Sequence, residues 1–378
     1  MTECYQKVIR GRGSIGKIPE MLEKLGTHRP LVIGSRHLTG MLMKKVPMLL
    51  TSPVFSEYHP NPDLQDAIPA AQMFRRQICD GILSIGGGSA MDTAKAVKAM
   101  LYTDTAEDVL KGGFPEIMDI PHLAIPGTAG TGSEATQNAV LYIENVKKSL
   151  SHPALRPEGV ILDADLLDSL PAYHKKSAAL DALCQGIESY WCKCATEDSR
   201  VHAYLAILGV LDNLKMYLNG DTHAGDEMLD ASFQSGKAIQ ITRTTAAHAM
   251  SYQITKTMGY AHGHACMMTL PVLWEMLAEH EDMKDVLENL SRIMRLEDSR
   301  VVPKLLRGIL YDLEMEIPVN PSEEIVNRLA DSVDPQRLGN HPVPMSRDNV
   351  REAYRKAFTP LCHAEKQACL DIWHYYGA

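Results

Sequence analysis

The most telling part of the sequence is Gly81-Ile-Leu-Ser-Ile-Gly-Gly-Gly-Ser-Ala-Met-Asp92, where an apolar segment runs into three consecutive glycines and then a helical pattern. Glycines directly after a buried strand let the backbone approach a ligand closely, and the amide groups that begin the next helix favour a phosphate. Ser89 and Asp92 have the spacing of a capping box, so we expect Ser89 to cap the helix. The stretch predicts a strand, a phosphate-binding turn at Gly86, Gly87, Gly88 and Ser89, and a helix.

A second glycine-rich turn follows a later apolar segment. Here His122-Leu-Ala-Ile125 runs into Gly127-Thr-Ala-Gly-Thr-Gly-Ser-Glu134. Because the carboxyl ends of parallel strands open into a shared crevice, we expect both turns at one site. One such turn could be a plain tight turn without a ligand, but two in one sheet favour a dinucleotide. Thr128 and Thr131 would then supply hydroxyl groups to the cofactor.

The first half of the chain alternates strand-like segments with helical patterns, which is typical of a parallel sheet covered by helices. After Pro171 strand-like segments nearly vanish, and Leu-, Met- and Ala-rich helical patterns fill the rest. We therefore predict an α/β N-terminal dinucleotide-binding domain with a parallel sheet over residues 1–170, followed by an all-α C-terminal domain over residues 171–378. The predicted strands are Leu31–Ile33, Gly81–Ile85, His122–Ile125 and Val160–Leu162.

Composition excludes several classes of protein. The chain has 378 residues, 45% hydrophobic and 22% charged, which is enough for two domains with their own cores. The net charge of −9, with scattered Lys and Arg, argues against a nucleic-acid partner. The N-terminus is polar and no run of eighteen apolar residues occurs, so we expect no membrane partner and a cytoplasmic location. The eight cysteines form no CxxC pair and are expected to be free thiols.

The end of the first predicted strand bears on the choice of cofactor. In dinucleotide-binding sheets an acid usually binds the adenosine 2′-hydroxyl there, whereas an Arg suits a 2′-phosphate. The segment Gly34-Ser35-Arg36 contains no acid. This favours NADP(H) over NAD(H), although Ser35 can also hydrogen-bond a plain ribose and Arg36 can be a solvated charge.

A candidate metal site lies in the second half of the chain. Asp181 belongs to a helical pattern in which positions 181, 185 and 188 form one polar stripe. A buried carboxylate needs a partner, and His248 and His262 could converge on the same cation. One Asp and two His form an open, catalytic metal site.

Several motifs in this order resemble those of the iron-containing (group III) alcohol dehydrogenases. The resemblance covers nearly the whole chain and implies a dinucleotide-binding α/β domain followed by a helical metal- and substrate-binding domain. It rests on Gly86-Gly-Gly-Ser-Ala-Met-Asp-Thr-Ala-Lys95, Ile125-Pro-Gly-Thr-Ala-Gly-Thr-Gly-Ser-Glu134, Asp163-Ala-Asp165-Leu, Asp181-Ala-Leu-Cys-Gln-Gly-Ile-Glu188, and His262-Gly-His-Ala before Leu270-Pro271.

The resemblance implies a divalent metal, Fe²⁺ or Zn²⁺, held by an Asp, a His four residues later and two further His. Asp181, His248 and His262 match this set, whereas Gln185 stands where the family usually has His. An amide oxygen can coordinate a divalent ion, but more weakly than imidazole.

The resemblance also implies roles in catalysis and cofactor binding. Tyr252 stands where many members have a His thought to relay protons, and a phenol can donate a proton or simply pack. Lys147 is similar to the family lysine near the nicotinamide ribose, but it can equally be a solvated surface charge. The implied reaction is hydride transfer between nicotinamide C4 and a carbonyl carbon, with the metal as Lewis acid. Relatives are commonly multimers, so a homo-oligomer is expected.

The substrate prediction depends on Arg243, five residues before His248, where many family members are small and neutral. A guanidinium there would suit an anionic substrate group, and the segment from Thr244 to Tyr252 resembles the branch that reduces phosphonoacetaldehyde, a near isostere of sulfoacetaldehyde. We predict an NAD(P)H-linked oxidoreductase that interconverts such an aldehyde and its primary alcohol. If Arg243 pairs with an acid of its own domain, a neutral short-chain alcohol, aldehyde or diol becomes the better substrate.

Two other functions stay open at this point. One is a non-redox lyase resembling dehydroquinate synthase, which also joins a dinucleotide to a metal and would cycle the cofactor without net change. The other is a cofactor-binding scaffold without activity, whose metal site has decayed at Gln185.

Overall fold

The structure, a computed structural model, describes residues 6–60, 62–103, 105–110, 112–143, 146–315 and 317–376. The chain divides into two compact units, of which the first ends at Leu170 and the second begins at Pro171. No helix in these described ranges is long and apolar enough to cross a membrane.

The first unit is built on a six-stranded parallel sheet and a separate two-stranded antiparallel hairpin. The order in the large sheet is β1-β8-β5-β4-β2-β3, and β6 pairs with β7. The strands are β1 (Lys7–Arg10), β2 (Pro30–Gly34), β3 (Val54–Phe55), β4 (Gly81–Gly86), β5 (His122–Pro126), β6 (Asn138–Ile143), β7 (Val146–Ser151) and β8 (Gly159–Leu162).

The central strands are apolar because both faces of the sheet are covered. Successive residues of β2 point to opposite sides: Leu31 and Ile33 join one buried apolar cluster, and Val32 joins the other. The helices of this unit are α1 (Ile18–Leu25), α2 (Arg36–Lys45), α3 (Leu64–Arg76), α4 (Gly88–Met100) and α5 (Ala106–Leu110).

The start of α4 differs from the expected one. The N-cap is Gly87, without a side-chain cap, and Ser89 lies inside the first turn. Asp92 does not close a capping box with Ser89; it accepts a hydrogen bond from Ser133 Oγ in the second glycine turn (2.9 Å). The Asp92 carboxylate thus contacts a residue distant in sequence instead of the start of its own helix.

The described residues of the second unit form helices joined by turns and loops, and contain no strand. Its helices are α6 (Ala172–Trp191), α7 (Glu197–Leu218), α8 (Thr222–Thr242), α9 (Ala246–Met258), α10 (His262–Leu277), α11 (Lys284–Ile293), α12 (Val302–Asp312), α13 (Glu323–Asp331), α14 (Pro335–Leu338), α15 (Arg347–Ala357) and α16 (His363–Tyr376). The predicted fold class, a parallel α/β domain followed by an all-α domain, is confirmed. The cysteines within the described ranges are free thiols.

Candidate active site

The two glycine turns of the first unit lie against each other. Gly127 N donates a hydrogen bond to Gly86 O (2.8 Å), which joins the ends of β4 and β5. A Cβ atom added at Gly87 would lie 3.3 Å from Thr128 Cγ2, and one added at Gly88 would lie 3.1 Å from Thr131 Cγ2. The structure thus brings together the glycines and the two threonines that the sequence placed at one site.

Gly86 has φ +145°, a conformation that L side chains rarely adopt, and the helix α4 starts two residues later. The uncapped first turn of α4 presents amide N–H groups next to the glycines, and this combination suits a phosphate group. The residues present therefore fit a dinucleotide at the positions that the sequence predicted.

A buried lysine anchors the second glycine turn. Lys95 Nζ on α4 donates to Ser133 O and Oγ, Thr136 Oγ1 and Asn138 O at 2.7 to 3.1 Å. Glu134 is also buried, and its Oε1 has no hydrogen-bond partner among the described residues. Burial lowers the pKa of Lys95 to about 8 and raises the pKa of Glu134 to about 7.

The predicted ribose contacts lie at the start of α2. Ser35 is its N-cap, and Ser35 Oγ accepts a hydrogen bond from Leu38 N (3.3 Å). Arg36 is exposed and forms an ion pair with Glu57 at 3.6 Å. The roles of Ser35 and the preference for NADP(H) stay predictions. The predicted contact of Lys147 falls on a side chain outside the described residues.

Four potential metal ligands converge within the second unit. They are Asp181 on α6, His248 on α9, and His262 and Cys266 on α10, and their ligand atoms all lie within 4.8 Å of one another. Asp181 Oδ1 lies 3.2 Å from His248 Nε2 and 3.9 Å from His262 Nε2. Two nitrogens, an oxygen and a sulfur form a donor set that suits a divalent transition metal.

A glycine makes this convergence possible. Gly263 follows His262 at the start of α10, where that helix packs on α6. A Cβ atom built at Gly263 would lie 2.0 Å from Ser177 O and 2.6 Å from Asp181 N. The absence of a side chain therefore allows His262 to approach Asp181.

Glu188, about two turns after Asp181 on the same helix side, orients His248. Glu188 Oε2 hydrogen-bonds with His248 Nδ1, while Glu188 Oε1 accepts from Thr245 N (3.2 Å), Thr245 Oγ1 (2.6 Å) and Ala247 N (2.8 Å). Burial alone would raise the pKa of Glu188, but His248 and these donors hold it below its ordinary value. An ionised Glu188 keeps the proton of His248 on Nδ1 and leaves Nε2 to face Asp181.

The electrostatics of the cluster favour a positive charge. Burial alone would lower the pKa of His248, but its acidic neighbours Cys266, Glu188 and Asp181 outweigh this and raise it well above its ordinary value. A bound dication would take the place of that proton.

The other residues predicted for this site lie around the cluster. The Gln185 side chain is buried, and its Oε1 accepts a hydrogen bond from Ser235 Oγ (2.8 Å). The Tyr252 ring stacks on the ring of His262, with centroids 5.5 Å apart and an interplanar angle of 7°. The Tyr252 hydroxyl accepts a hydrogen bond from Arg337 Nη1.

Arg243 is exposed at the end of α8, between that helix and the segment that leads to His248. Its φ of +64° and ψ of −178° lie in a region that costs a non-glycine residue about 1–3 kcal/mol. Thr242 Oγ1 donates to Arg243 O (2.8 Å) and Asn340 Nδ2 donates to Thr244 O (3.2 Å), which holds this backbone in place.

Sequence reasoning missed three residues of the site. Cys266 could have been found, because it lies four residues after His262 and therefore on the same helix face. Glu188 was recognised as part of a polar stripe, but its contact with His248, 60 residues later, could not be predicted from the sequence. Arg337 gives no local signal, since it reaches Tyr252 from a short helix 85 residues away in sequence.

Known proteins match both halves of the chain. Residues 6–164 match the family described as iron-containing alcohol dehydrogenase, and residues 176–358 match the C-terminal part of the Fe-containing alcohol dehydrogenase family. The phosphonoacetaldehyde reductase of Streptomyces viridochromogenes is 35% identical over 226 residues, which cover 56% of this chain and 57% of that protein. The lactaldehyde reductase of Escherichia coli is 25% identical over 92% of this chain and 97% of its own length.

Solved structures agree over almost the full length. The crystal structure of sulfoacetaldehyde reductase from Bifidobacterium kashiwanohense in complex with NAD⁺ superimposes with a TM-score of 0.85 at 26% sequence identity. The match covers 93% of this chain and 96% of that chain. The similarity thus extends over both units of the chain.

Proposed function

Because this chain belongs to the iron-containing alcohol dehydrogenase family, we propose that it interconverts a small anionic aldehyde, such as sulfoacetaldehyde or phosphonoacetaldehyde, and its primary alcohol with NAD(P)H. Oxidoreductase chemistry on alcohols and aldehydes is the activity of the family. The convergence of Asp181, His248 and His262 is the observation that supports this function most strongly.

The residues of the cluster fit a divalent metal. Asp181, His248 and His262 would hold the ion, and Gln185 is a further candidate ligand from the sequence. When bound, the ion supplies a Lewis acid that polarises the carbonyl oxygen and stabilises the developing alkoxide. The chain itself contributes the orientation of the ligands, in which Glu188 fixes the ring of His248.

Tyr252 is positioned to donate a hydrogen bond or a proton. Burial raises the pKa of its phenol, and nearby Arg337 offsets this only in part, so the phenol keeps its proton at neutral pH. Its ring stacks on the ring of His262, which is one of the proposed metal ligands. Tyr252 is therefore our candidate for the proton donor to the substrate oxygen during reduction.

The cofactor would bind along the glycine turns of the first unit. The pyrophosphate would contact Gly86, Gly87, Gly88 and Ser89. The cofactor would also accept hydrogen bonds from the hydroxyl groups of Thr128 and Thr131. Lys147 and Ser35 are the further proposed contacts. The NAD⁺ present in the similar Bifidobacterium structure supports a nicotinamide dinucleotide as the cofactor.

Arg243 is the proposed contact for the anionic substrate group. Its guanidinium is exposed, and its strained backbone is held by hydrogen bonds in the segment before His248. Backbone strain of this kind persists only where the surrounding structure holds it in place, and it clusters at active sites and ligand-binding positions. The sulfonate- and phosphonate-bearing substrates named for similar proteins are consistent with this role.

The test is NADH and NADPH oxidation with a panel of aldehydes, with and without added Fe²⁺ or Zn²⁺. We expect net consumption of reduced cofactor that depends on the metal. Arg243→Ala should raise KM for sulfoacetaldehyde far more than for propanal, and Arg243→Lys should restore part of the difference. Equal changes for both substrates would refute the role of Arg243, and unchanged cofactor levels would favour the non-redox function.

A neutral substrate is the second candidate. The E. coli lactaldehyde reductase matches this chain over more of its length than the phosphonoacetaldehyde reductase does. A panel in which lactaldehyde or propanal gives the highest kcat/KM would favour this candidate.

A further inference from the structure

The thiol of Cys266 occupies a specific place in the metal cluster. Cys266 lies one turn after His262 on α10 and is fully buried. Its Sγ atom lies 4.0 Å from both ring nitrogens of His262. It also lies within 4.8 Å of the ligand atoms of Asp181 and His248.

These separations are those of groups around one ion. Metal–ligand bonds of roughly 2.0–2.3 Å place two ligands of a tetrahedral zinc ion about 3.3–3.8 Å apart. Three of the pairs, at 3.2, 3.9 and 4.0 Å, lie within a few tenths of an ångström of this range, and all four ligand atoms lie within 4.8 Å of one another. Small side-chain shifts would therefore bring all four atoms into one coordination sphere.

The Gln185 amide oxygen is engaged elsewhere. It accepts a hydrogen bond from Ser235 Oγ at 2.8 Å, and this contact turns it toward α8. An amide oxygen is also a weak ligand for a transition metal, whereas a thiolate is a strong one.

We infer that the fourth metal ligand is the thiolate of Cys266 in place of the amide oxygen of Gln185, and that the preferred metal is zinc. This inference deepens the proposed function and rests on it. On binding, the S–H bond of Cys266 breaks, a zinc–sulfur bond forms and one proton leaves to solvent. Asp181 and Cys266 then place two negative charges directly on the dication, which offsets the cost of burying it.

Ligand softness supports zinc over ferrous iron. A thiolate selects zinc more strongly than a carboxylate or an amide oxygen does, and zinc already binds such sites more tightly than ferrous iron. The site should therefore retain zinc in the presence of an equal concentration of Fe²⁺.

The test is cobalt substitution of the full-length, metal-free protein. A Co²⁺–thiolate bond gives an intense near-ultraviolet charge-transfer band, which nitrogen and oxygen ligands do not give. We expect this band at one equivalent of Co²⁺ in the wild type and in Gln185→Ala. Cys184→Ser is the matched control, because Cys184 is a buried thiol next to Gln185 on α6 and is not one of the four clustered ligands; it should keep the band.

Cys266→Ser should lose the band. It should also weaken zinc binding by more than the roughly 10- to 100-fold that loss of an outer partner costs. If Cys266→Ser does not fold, Cys266→Ala combined with Gln185→His should bind Co²⁺ without the band, because the new imidazole replaces the thiolate.

The outcomes separate this inference from the proposed function. Stoichiometric Co²⁺ binding by the wild type without the band, or a band that persists in Cys266→Ser, would overturn the role of Cys266 and leave the proposed function standing. A wild type that binds neither Co²⁺ nor Zn²⁺ and reduces no aldehyde would refute both.

Discussion

The variant Glu188→Gln tests how the orientation of His248 affects metal binding, because it leaves the proposed metal ligands themselves unchanged. The three donors from Thr245 and Ala247 all contact Oε1 of Glu188, whereas His248 Nδ1 contacts Oε2. A Gln can keep its oxygen toward the three donors, but it then places an NH₂ group against His248 Nδ1. Two donors cannot share that contact, so the proton of His248 would move to Nε2, the nitrogen that faces Asp181.

The expected effect of Glu188→Gln is a loss of metal affinity. A protonated Nε2 has no lone pair for a metal, and loss of such an outer partner typically weakens binding by about 10- to 100-fold, or about 1.4–2.7 kcal/mol. The metal-free protein should lose less stability in Glu188→Gln than in Glu188→Ala. The Gln variant loses the charge that pairs with His248 but keeps the three hydrogen bonds to Oε1. The Ala variant loses these hydrogen bonds as well, and each buried donor left without a partner costs about 1–3 kcal/mol.

The measurement is zinc affinity by competition with a chromophoric chelator, together with urea denaturation of the metal-free proteins. Asp312→Asn is the matched control, because Asp312 also contacts an imidazole, that of His374 at 3.0 Å, but takes no part in the metal cluster. A Glu188→Gln protein that binds zinc as tightly as the wild type and Asp312→Asn would refute the tautomer argument.

Other predictions concern single positions of both units. Glu134 has a pKa of about 7 in the folded protein against 4.5 ordinarily, so the folded state binds the proton more strongly and stability falls as pH rises from 4.5 to 7. Glu134→Gln should remove this fall and exceed the wild type in stability by up to about 3 kcal/mol at pH 8, but not at pH 5, in urea denaturation; equal pH profiles would contradict this. Gly263→Ala should cost about 1–3 kcal/mol of stability and weaken metal binding, because the new methyl group meets Ser177 O. Gly40→Ala is its control, since a Cβ atom there meets nothing within 4 Å. Tyr252→Phe should lower kcat for aldehyde reduction by about 10²–10⁴-fold if the phenol is the proton donor; an unchanged kcat would leave Tyr252 a packing residue.

The large sheet could be predicted because its central strands are buried on both faces. Segments such as Gly81–Gly86 are largely apolar runs that end in glycine, and this pattern is typical of a buried parallel strand that leads into a turn. The edge strand Lys7–Arg10 and the hairpin of Asn138–Ile143 with Val146–Ser151 gave no comparable signal. Polar residues make up half of Lys7–Arg10 and most of Val146–Ser151, so the apolar pattern is diluted in the edge strand and in one strand of the hairpin.

The site could be predicted only as far as spacing and family motifs reach. Asp181, His248 and His262 were identified from their motifs, and the structure brings them together. Cys266 was passed over because no motif marks it, although its distance of four residues from His262 was visible. Asp92 was assigned to a helix cap on local spacing alone. In the fold its carboxylate accepts a hydrogen bond from Ser133, 41 residues away, and local spacing cannot predict such a contact.

The contacts of Glu188 couple the orientation of a proposed metal ligand to the packing of a helix start. The same carboxylate that aligns the ring of His248 also holds the amides of Thr245 and Ala247, and so closes the start of α9 onto α6. If this start opens, His248 loses its orientation at the same moment, and the ion loses a ligand. The rate of zinc transfer to a chelator should therefore equal the opening rate measured by hydrogen exchange at those two amides, and a zinc transfer much faster than exchange would show that the ion leaves by another route.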